Sequence, residues 1–288
     1  MRAAVFGLYR VRVPMYSVAA VILIANVVVL NVVLPEPVLA AWRVLLFAAL
    51  AAMLCAALLS YLVPRWLPAR PTRAVTPPIS GRWIALNSPA TKTPSHGVRA
   101  YGQTYAIDLV ADPTGTARPE FGGPAMRVAT SYPAFGEPVF AMLDGTVVRA
   151  SDWRRDHRAR SNAAGFIYLM MEGMIRQLGG PGFIVGNHVT IRNDDGTYAT
   201  VAHLRQGSVA VRAGDRITAG TRIGECGNSG NSSEPHVHAQ LMDRASFWTA
   251  EGLPMAFAGI TLGEDLTQVT ALPADGQHMI AAEGKGHP

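Results

Sequence analysis

The sequence is poor in cysteine and in charge, and each shortage excludes a class of protein. Two cysteines in 288 residues, Cys55 and Cys226, exclude a small disulfide scaffold. Charged residues make up 16% and hydrophobic residues 49%, a balance too apolar for a disordered chain. The Gly-rich stretch 224–233 lacks the Gly-Lys-Ser/Thr ending of a phosphate loop, so nucleotide binding is not predicted.

Acidic residues are scarce in the first part of the chain. The formal net charge is +5, but residues 1–80 hold seven arginines against one acid, Glu36, whereas residues 81–288 carry a net charge of −1. Nucleic-acid binding needs basic side chains clustered on the folded part of a protein. The distribution of charge therefore predicts no nucleic-acid partner.

Long apolar runs lie near the N-terminus. Residues 15–34 and 44–63 contain no charged side chain, and each run is long enough to cross a bilayer as a helix. Buried core helices and a cleaved signal peptide are the alternatives, but two runs of about twenty residues joined by a short loop favour two transmembrane helices. We predict a basic flank at 1–14, these two helices with the lipid bilayer as their partner, and a Pro/Arg-rich linker at 64–80.

The side of the membrane that holds the rest of the chain is indicated in two opposite ways. Arginines flank the apolar runs and favour a cytoplasmic domain by the positive-inside rule (Arg2, Arg10, Arg12, Arg65, Arg70 and Arg73). A large folded domain can, however, be translocated regardless of flanking charge, so an extracytoplasmic domain stays open as the alternative.

Residues 81–268 have the pattern of an all-β sandwich or barrel-like soluble domain. Short β-like runs alternate with Gly, Pro and Asn, namely YAIDLV, GTVVRA, HVTIRN, TYATVAHL, DRITAG, TRIGECG and HVHAQLM. One inserted helix is predicted at 166–178, and a packing helix between two strands is favoured over a lid or a membrane-surface helix. Residues 269–288 are predicted to form a disordered tail.

A few polar residues in apolar surroundings could carry chemistry. In His236-Val237-His238, side chains alternate across a strand, so both imidazoles project to one face, as metal binding or acid–base catalysis requires. Asp108 interrupts an apolar run, where a buried carboxylate needs a hydrogen-bond network or a cation, although an Asp that caps a turn is the alternative. His203 ends the run TYATVAHL just before a turn.

The order and spacing of these residues resemble the lysostaphin-type zinc peptidases, also called murein endopeptidases. That family shows a Tyr-x-His-Leu-like strand, a Gly-x-x-Val-x-x-Gly-x-x-Ile-Gly hairpin, a Gly-rich turn and then Pro-His-Leu-His. The corresponding segments here are VAHL at 201–204, GDRITAGTRIG at 214–224 and PHVH at 235–238. The resemblance spans residues 96–243, and it is most specific in its second half.

The resemblance implies a site that holds one zinc ion. Asp108 and His238 match zinc ligands of the family, while His203 and His236 match the unligated histidines that polarise the water and stabilise the oxyanion. The family's first ligand is a histidine four residues before the aspartate, but this position is Thr104, and a neutral hydroxyl is a poor zinc donor. His96 is the nearest candidate replacement, and an ordinary loop histidine is the alternative interpretation of it.

The resemblance leaves two functions open. The first is a membrane-anchored zinc endopeptidase that hydrolyses peptide bonds of bacterial peptidoglycan. Because this substrate is outside the cell, we then expect a multi-pass protein of the bacterial cytoplasmic membrane with an extracytoplasmic domain. The second is a catalytically inactive scaffold that binds the cell wall or regulates another hydrolase. This function is expected if Thr104, in place of the histidine ligand, leaves the site without metal. The hairpin at 213–225 also resembles biotinyl and lipoyl carriers, but these need a lysine at the hairpin tip, and the chain's lysines, Lys92 and Lys285, are far from it.

Overall fold

The computed structural model describes residues 2–282, which belong to two compact units, Met1–Ala69 and Arg70–Pro288. The first unit is helical, with α1 (Arg2–Arg10), α2 (Arg12–Val29), α3 (Glu36–Leu62) and a 3-10 turn at Val63–Arg65. Two segments, Arg12–Val29 and Glu36–Arg65, are long and apolar enough to cross a membrane by length and composition. They cover most of the two apolar runs of the sequence, and Trp42 Nε1 donates a hydrogen bond of 2.8 Å from α3 to Asn26 Oδ1 of α2.

The second unit is predominantly β, as the strand pattern predicts. Its strands are β1 (Arg73–Val75), β2 (Gly81–Leu86), β3 (Ile107–Ala111), β4 (Met126–Arg127), β5 (Pro138–Phe140), β6 (Gly145–Ser151), β7 (Ala159–Arg160), β8 (Asn187–Arg192), β9 (Tyr198–Leu204), β10 (Arg216–Ile217), β11 (Arg222–Glu225), β12 (Val237–Met242), β13 (Gly252–Leu253), β14 (Met255–Leu262), β15 (Asp265–Ala271) and β16 (His278–Ala281). Two helices, α4 (Ala163–Leu178) and α5 (Pro181–Val185), separate β7 from β8, and a 3-10 turn occupies Ala129–Ser131.

One large sheet organises this unit. Its strand order is β1-β14-β16-β2-β3-β12-β9-β8-β6-β10, with β15 beside β14 and β13 beside β12. Two small sheets, β5–β11 and β4–β7, complete the β-structure. In the large sheet β12 lies between β3 and β9, and both pairings are antiparallel. Three neighbouring strands therefore carry Asp108, His238 and His203.

Alternation along these strands separates a core face from a polar face. Leu109 of β3 is opposite Val237 of β12, and both belong to the hydrophobic core together with Val139 of β5 and Ile223 of β11. The neighbouring pair, Asp108 opposite His238, must then point to the other side of the sheet. Both faces of the two central strands are buried.

The helical insertion differs from the predicted packing helix. Helix α4 begins at Ala163, where the side chain of Asn162 caps it by accepting a hydrogen bond from the Gly165 amide, and a second short helix, α5, follows it. Of its sixteen residues only Gly165 and Leu169 are buried. A helix that buries so little contributes little to the core.

Two segments predicted as linker and tail are partly built into the large sheet. Strand β1, inside the predicted linker 64–80, pairs in parallel with β14. Strand β16, inside the predicted disordered tail 269–288, lies between β14 and β2 and buries Met279 completely. Both strands are too short to show a clear periodicity in the sequence, and their pairing partners lie far along the chain. Residues 283–288 of the predicted tail lie outside the described residues.

Candidate metal and catalytic site

Asp108 lies at the centre of the site, on the polar face of β3. Its buried carboxylate accepts a hydrogen bond of 2.8 Å from Asn87 Nδ2, and its Oδ2 lies 3.0 Å from His96 Nε2. Burial acts to raise the pKa of Asp108, but the charges of His96 and His236, with a hydrogen bond from protonated His236, outweigh it and hold the pKa well below its usual range. The carboxylate is therefore ionised at neutral pH.

His238, opposite Asp108 on β12, has its tautomer set by a neighbour on the same strand face. The Gln240 amide nitrogen donates to the carbonyl of Tyr101 at 2.9 Å, so the Gln240 Oε1 atom must face His238 Nε2, 2.8 Å away, and accept its hydrogen. His238 Nδ1 then turns its lone pair toward Asp108 Oδ1 at 2.8 Å. Two acceptors this close are stable only in the presence of a cation, a proton or a metal ion.

His96 reaches the same carboxylate from a loop. Its Nε2 faces Asp108 Oδ2, its Nδ1 lies 3.0 Å from Ser95 Oγ, and its ring packs edge-on against His238 with 5.0 Å between the centroids. Thr104 is buried, and its Oγ1 has no hydrogen-bond partner among the described residues. The structure therefore brings His96, the predicted replacement for the missing histidine, next to Asp108 and His238.

His203 and His236 form a second pair beside the first group. Their ring centroids lie 4.7 Å apart, and the His203 centroid is 5.7 Å from that of His238. His203 Nδ1 bonds to the Ser229 carbonyl at 2.8 Å, and His236 Nδ1 bonds to the Glu234 carbonyl at 2.8 Å. Because a carbonyl can only accept, each Nδ1 carries the hydrogen and each Nε2 keeps a lone pair in the neutral ring.

A local irregularity of β9 brings His203 to this face. Ala202 is opposite His238, so strict alternation would place the next side chain, His203, on the other side of the sheet. The register between β8 and β9 shifts at Asn187–His188, and His203 has a left-handed backbone with φ +62°. The bulge reorients the imidazole toward His236, and a backbone of this kind costs about 1–3 kcal/mol in a non-glycine residue.

Burial and neighbouring charges shift the pKa values of His203 and His236 in opposite directions. Burial lowers the pKa of His203 well below its usual value, and the charges of His236 and His238 lower it further. Burial also opposes protonation of His236, but the charge of Asp108 and a hydrogen bond to it outweigh burial, so the pKa of His236 is raised. Two neighbouring imidazoles thus differ in proton affinity.

The arrangement contains two overlapping groups that could hold a metal ion. One is His96, Asp108 and His238, and the other is His203, His236 and His238; within each, the donor atoms lie within 4.8 Å of one another. The first group combines two imidazole nitrogens with a carboxylate oxygen, a donor set that suits catalytic zinc. His238 Nδ1 and Asp108 Oδ1 are two acceptors in contact, and this contact also requires a cation. The residues of the first group therefore fit zinc.

Four residues that were not predicted from the sequence orient this site: Asn87, Gln240, Ser229 and Ser232. Gln240 had a usable signal, because it lies two positions after His238 in an apolar strand and must share its face. Ser229 holds His203 through a main-chain carbonyl, and such a contact leaves no trace in residue type. Ser232 Oγ lies 3.0 Å from His236 Nδ1.

The remaining described histidines lie outside these groups. His188 is buried next to Phe247, His157 bonds to the carbonyl of Gly230, and His278 pairs with Asp112 at 2.8 Å. Burial lowers the pKa of His188 to about 4. These three histidines make no contact with Asp108 among the described residues.

Comparison with known proteins gives one family match. Residues 128–247 match the model of Peptidase family M23. This stretch contains His203, His236 and His238, and it begins after His96 and Asp108.

Several solved structures are similar to this chain. One is the catalytic domain of the antimicrobial peptidase lysostaphin from Staphylococcus simulans, at 21% identity over 51% of this chain and 74% of that chain, with a TM-score of 0.30. A second is a variant of the catalytic domain of the prophage-encoded M23 protein EnpA from Enterococcus faecalis, at 20% identity over 62% of this chain and 93% of that chain, with a TM-score of 0.34. A third is a zinc-containing peptidase from Vibrio cholerae, at 19% identity over 64% of this chain and 41% of that chain, with a TM-score of 0.30.

Proposed function

We propose that this chain is a membrane-anchored zinc endopeptidase that hydrolyses peptide bonds of bacterial peptidoglycan. The premise is that residues 128–247 match the model of Peptidase family M23. The observation that carries the proposal is the convergence of His96, Asp108 and His238 beside a second histidine pair, His203 and His236. The proposed peptidase domain starts before the matched residues, because Asp108 and His96 precede them.

Three residues would hold the metal. Asp108 and His238 contribute donors from adjacent strands, and His96 contributes a third from a loop. Zinc bound by these three residues with one open position would supply a water of lowered pKa and would polarise the carbonyl of the peptide bond. Gln240 supports the site by keeping the hydrogen of His238 on Nε2, so that Nδ1 remains a donor.

The second pair supplies proton transfer and charge stabilisation. His203 Nε2 accepts a proton from the attacking water as the carbon–oxygen bond forms, and the proton then passes to the leaving amine as the carbon–nitrogen bond breaks. His236 Nε2–H, once protonated, donates a hydrogen bond to the oxygen that gains negative charge. The carbonyl groups of Ser229 and Glu234 hold both rings in the orientation that these roles need.

The substrate and location follow from the sequence motifs and the first unit. The segments 201–204 and 235–238 resemble those of murein endopeptidases, which supports peptidoglycan peptides as the substrate. The two candidate spans support anchoring in the bacterial cytoplasmic membrane. Peptidoglycan is outside this membrane, so we place residues 81–268 on the extracytoplasmic side.

The proposal is tested by zinc content and by peptidoglycan hydrolysis of the purified full chain. We expect about one zinc per chain by plasma mass spectrometry, in line with a single structural or catalytic site, and release of new amino groups from purified peptidoglycan. Asp108→Ala and His96→Ala should both lose zinc and hydrolysis. His278→Ala removes a histidine that pairs with Asp112 outside the site and should keep both.

Other combinations of zinc content and hydrolysis would contradict specific parts of the proposal. Zinc lost in Asp108→Ala but kept in His96→Ala would contradict the role of His96. A wild-type chain that binds no zinc after reconstitution and hydrolyses nothing would overturn the proposal in favour of the inactive scaffold, for which Thr104 at the position of the missing histidine is the supporting observation.

A further inference from the structure

Helix α4 turns its charged residues toward the protein and its apolar residues toward solvent, whereas a helix that packs on a core does the reverse. Its polar residues Glu172 and Arg176 share the protein-facing side with the buried Gly165 and Leu169. Glu172 pairs with Arg160 at 2.5 Å and with Arg176 at 3.4 Å. The charged groups of this helix are thus neutralised against the domain, and its outward side is left to other residues.

The outward side of α4 carries no charge. Its exposed members are apolar apart from one glutamine, and they continue to Phe183 of α5: Ala163, Ala164, Phe166, Ile167, Tyr168, Met170, Met171, Met174, Ile175, Gln177 and Leu178. Ile167, Met174 and Ile175 are 63%, 66% and 70% exposed. Contiguous apolar patches of this kind mark sites of contact with a partner or a membrane.

Arginines without an acidic partner border this apolar side. A cavity of about 700 Å³ lies between α4, α5 and the segment 153–160, and its lining includes Arg154, Arg155 and Arg158. Among the described residues, none of these three guanidinium groups makes an ion pair with an acid. The guanidinium of Arg154 lies over the rings of Trp153 and Phe183, 4.1 Å and 3.7 Å from their centroids.

The acids near these arginines are already engaged. Glu172 is shared by Arg160 and Arg176, and the carboxylate of Asp156 accepts hydrogen bonds from the backbone amides of Gln206 and Asn228. The cavity wall therefore offers positive charge directly beside the exposed apolar residues. An apolar stripe bordered by arginines and aromatic rings is the pattern of a helix that lies in a membrane interface.

We propose that the outward side of α4, with Arg154, Arg155 and Arg158, docks on the surface of an anionic phospholipid bilayer; we call these residues the α4 surface. The proposal rests on the membrane anchoring of the proposed function. Only seven residues, 66–72, separate the end of the second candidate span from β1, and an extended chain of that length covers at most about 25 Å. The tether thus keeps the domain within reach of the lipid.

Docking of the α4 surface would also position the catalytic pocket. The Arg176 guanidinium donates to the carbonyl of Gly230, and a Cβ at Gly173 of α4 would lie 3.1 Å from Asn231 Oδ1. The loop that contains these two contacts also contains Ser229 and Ser232, which hold His203 and His236. A helix held at the bilayer would therefore keep the active site next to the membrane surface.

The test measures lipid contact of α4 in the full chain. A Met174→Cys variant, made in a Cys55→Ala background, is labelled with an environment-sensitive NBD fluorophore; Cys226 is fully buried and stays unlabelled. The protein is reconstituted into vesicles of phosphatidylcholine with or without phosphatidylglycerol, and brominated lipids are used as quenchers. We expect a blue-shifted emission and several-fold stronger quenching in the anionic vesicles than for the same label at Leu266→Cys, an exposed position on β15 that is not part of the α4 surface.

Charge variants complete the test. Arg155→Gln/Arg158→Gln should abolish the difference between anionic and neutral vesicles, and added salt should weaken it. Arg192→Gln/Arg212→Gln removes the same charge elsewhere and should leave the difference unchanged. Equal quenching at positions 174 and 266 in a chain that floats with the vesicles would overturn this proposal alone, whereas loss of flotation would overturn the membrane anchoring.

A different occupant of the α4 surface would give a distinct result. A blue shift that depends on protein concentration in detergent, without lipid, would show that a second copy of the chain covers the α4 surface. That outcome overturns the lipid proposal.

Discussion

At the scale of the residue, the site depends on which nitrogen of each imidazole carries the hydrogen. Gln240 keeps the hydrogen of His238 away from Asp108, and main-chain carbonyls keep the hydrogens of His203 and His236 away from the pocket. In their neutral forms, these three rings therefore each present a lone pair toward the pocket. Lone pairs gathered around one buried carboxylate are unfavourable in a structural core, because they have no hydrogen-bond donor opposite them. The same lone pairs can bind a cation.

The roles assigned to the histidines predict a separation of metal binding from turnover. His203→Ala should keep about one zinc per chain, because the proposed ligands Asp108, His238 and His96 remain, but the rate of peptidoglycan hydrolysis should fall by about 10²–10⁴ with the loss of the proposed proton acceptor. Zinc content and rate are measured on the same preparation. Loss of zinc in this variant would assign the metal to the group of His203, His236 and His238 instead.

The buried imidazole of His188 lies outside the proposed metal site, and from its lowered pKa we expect the protein to lose stability in acid. Burial lowers its pKa from 6.5 to about 4, so below pH 6.5 the unfolded chain binds a proton that the native chain does not. Stability is therefore unaffected above about pH 6.5 and falls toward pH 4, by about 3 kcal/mol in total.

Urea unfolding of the metal-free chain at several pH values between 7 and 4 measures this loss. A His188→Gln variant should show a shallower decline of the unfolding free energy over that interval. Parallel curves for the wild type and the variant would contradict the assignment.

At the scale of the element, adjacent antiparallel strands convert distant sequence positions into one site. Strand β12 lies between β3 and β9, so Asp108, His238 and the strand of His203 are neighbours, although Asp108 and His238 are separated by 130 positions. The bulge at His203 and the loop that precedes β12 complete the arrangement. The same sheet extends through β2 and β16 to β14, which makes the C-terminal strand part of the fold.

Strand β16 predicts that the end of the chain is needed for folding. A chain that ends at Ala274 lacks β16 and loses its pairing with β14 and β2 as well as the buried Met279, whose side chain alone contributes about 2 kcal/mol. We expect the loss of a cooperative thermal transition, followed by near-UV circular dichroism. A chain that ends at Ala282 keeps all described strands and is the control; equal melting of the two chains would refute the structural role of β16.

At the scale of the whole molecule, an apolar helical unit is joined to a β-rich unit whose residues 128–247 match the model of Peptidase family M23. The basic charge is concentrated in the first unit and its flanks, and the second part of the chain is nearly neutral. Arginines on both sides of the candidate spans favour a cytoplasmic domain, whereas a peptidoglycan substrate requires the opposite side. Membrane topology is therefore the property on which the proposed function depends most.

The proposed peptidoglycan substrate predicts that the β-rich unit is exposed on the outside of the cytoplasmic membrane. A protease-sensitive reporter fused after Pro288 should be cleaved when protease is added to intact spheroplasts. A cytoplasmic protein in the same spheroplasts should stay intact and serves as the control. A reporter that is cleaved only after lysis would rule out access to peptidoglycan.

The sequence alone determined the features that depend on neighbouring residues. Uncharged runs of about twenty residues indicate membrane spans because bilayer thickness sets their length, and His236-Val237-His238 indicates a site because alternation in a strand is local. The motifs at 201–204, 214–224 and 235–238 identified the peptidase family, which the match over residues 128–247 confirms.

The remaining features depend on distant partners and are visible only in the folded chain. The structure brings His96 to Asp108, turns His203 toward His236 through a bulge, and places β16 inside the sheet. It also showed that α4 exposes its apolar side, a property that periodicity cannot reveal, because the sequence pattern of an amphipathic helix is the same whichever side packs on the protein. Register, bulges and the direction of a helix face are set by contacts between segments far apart in the chain.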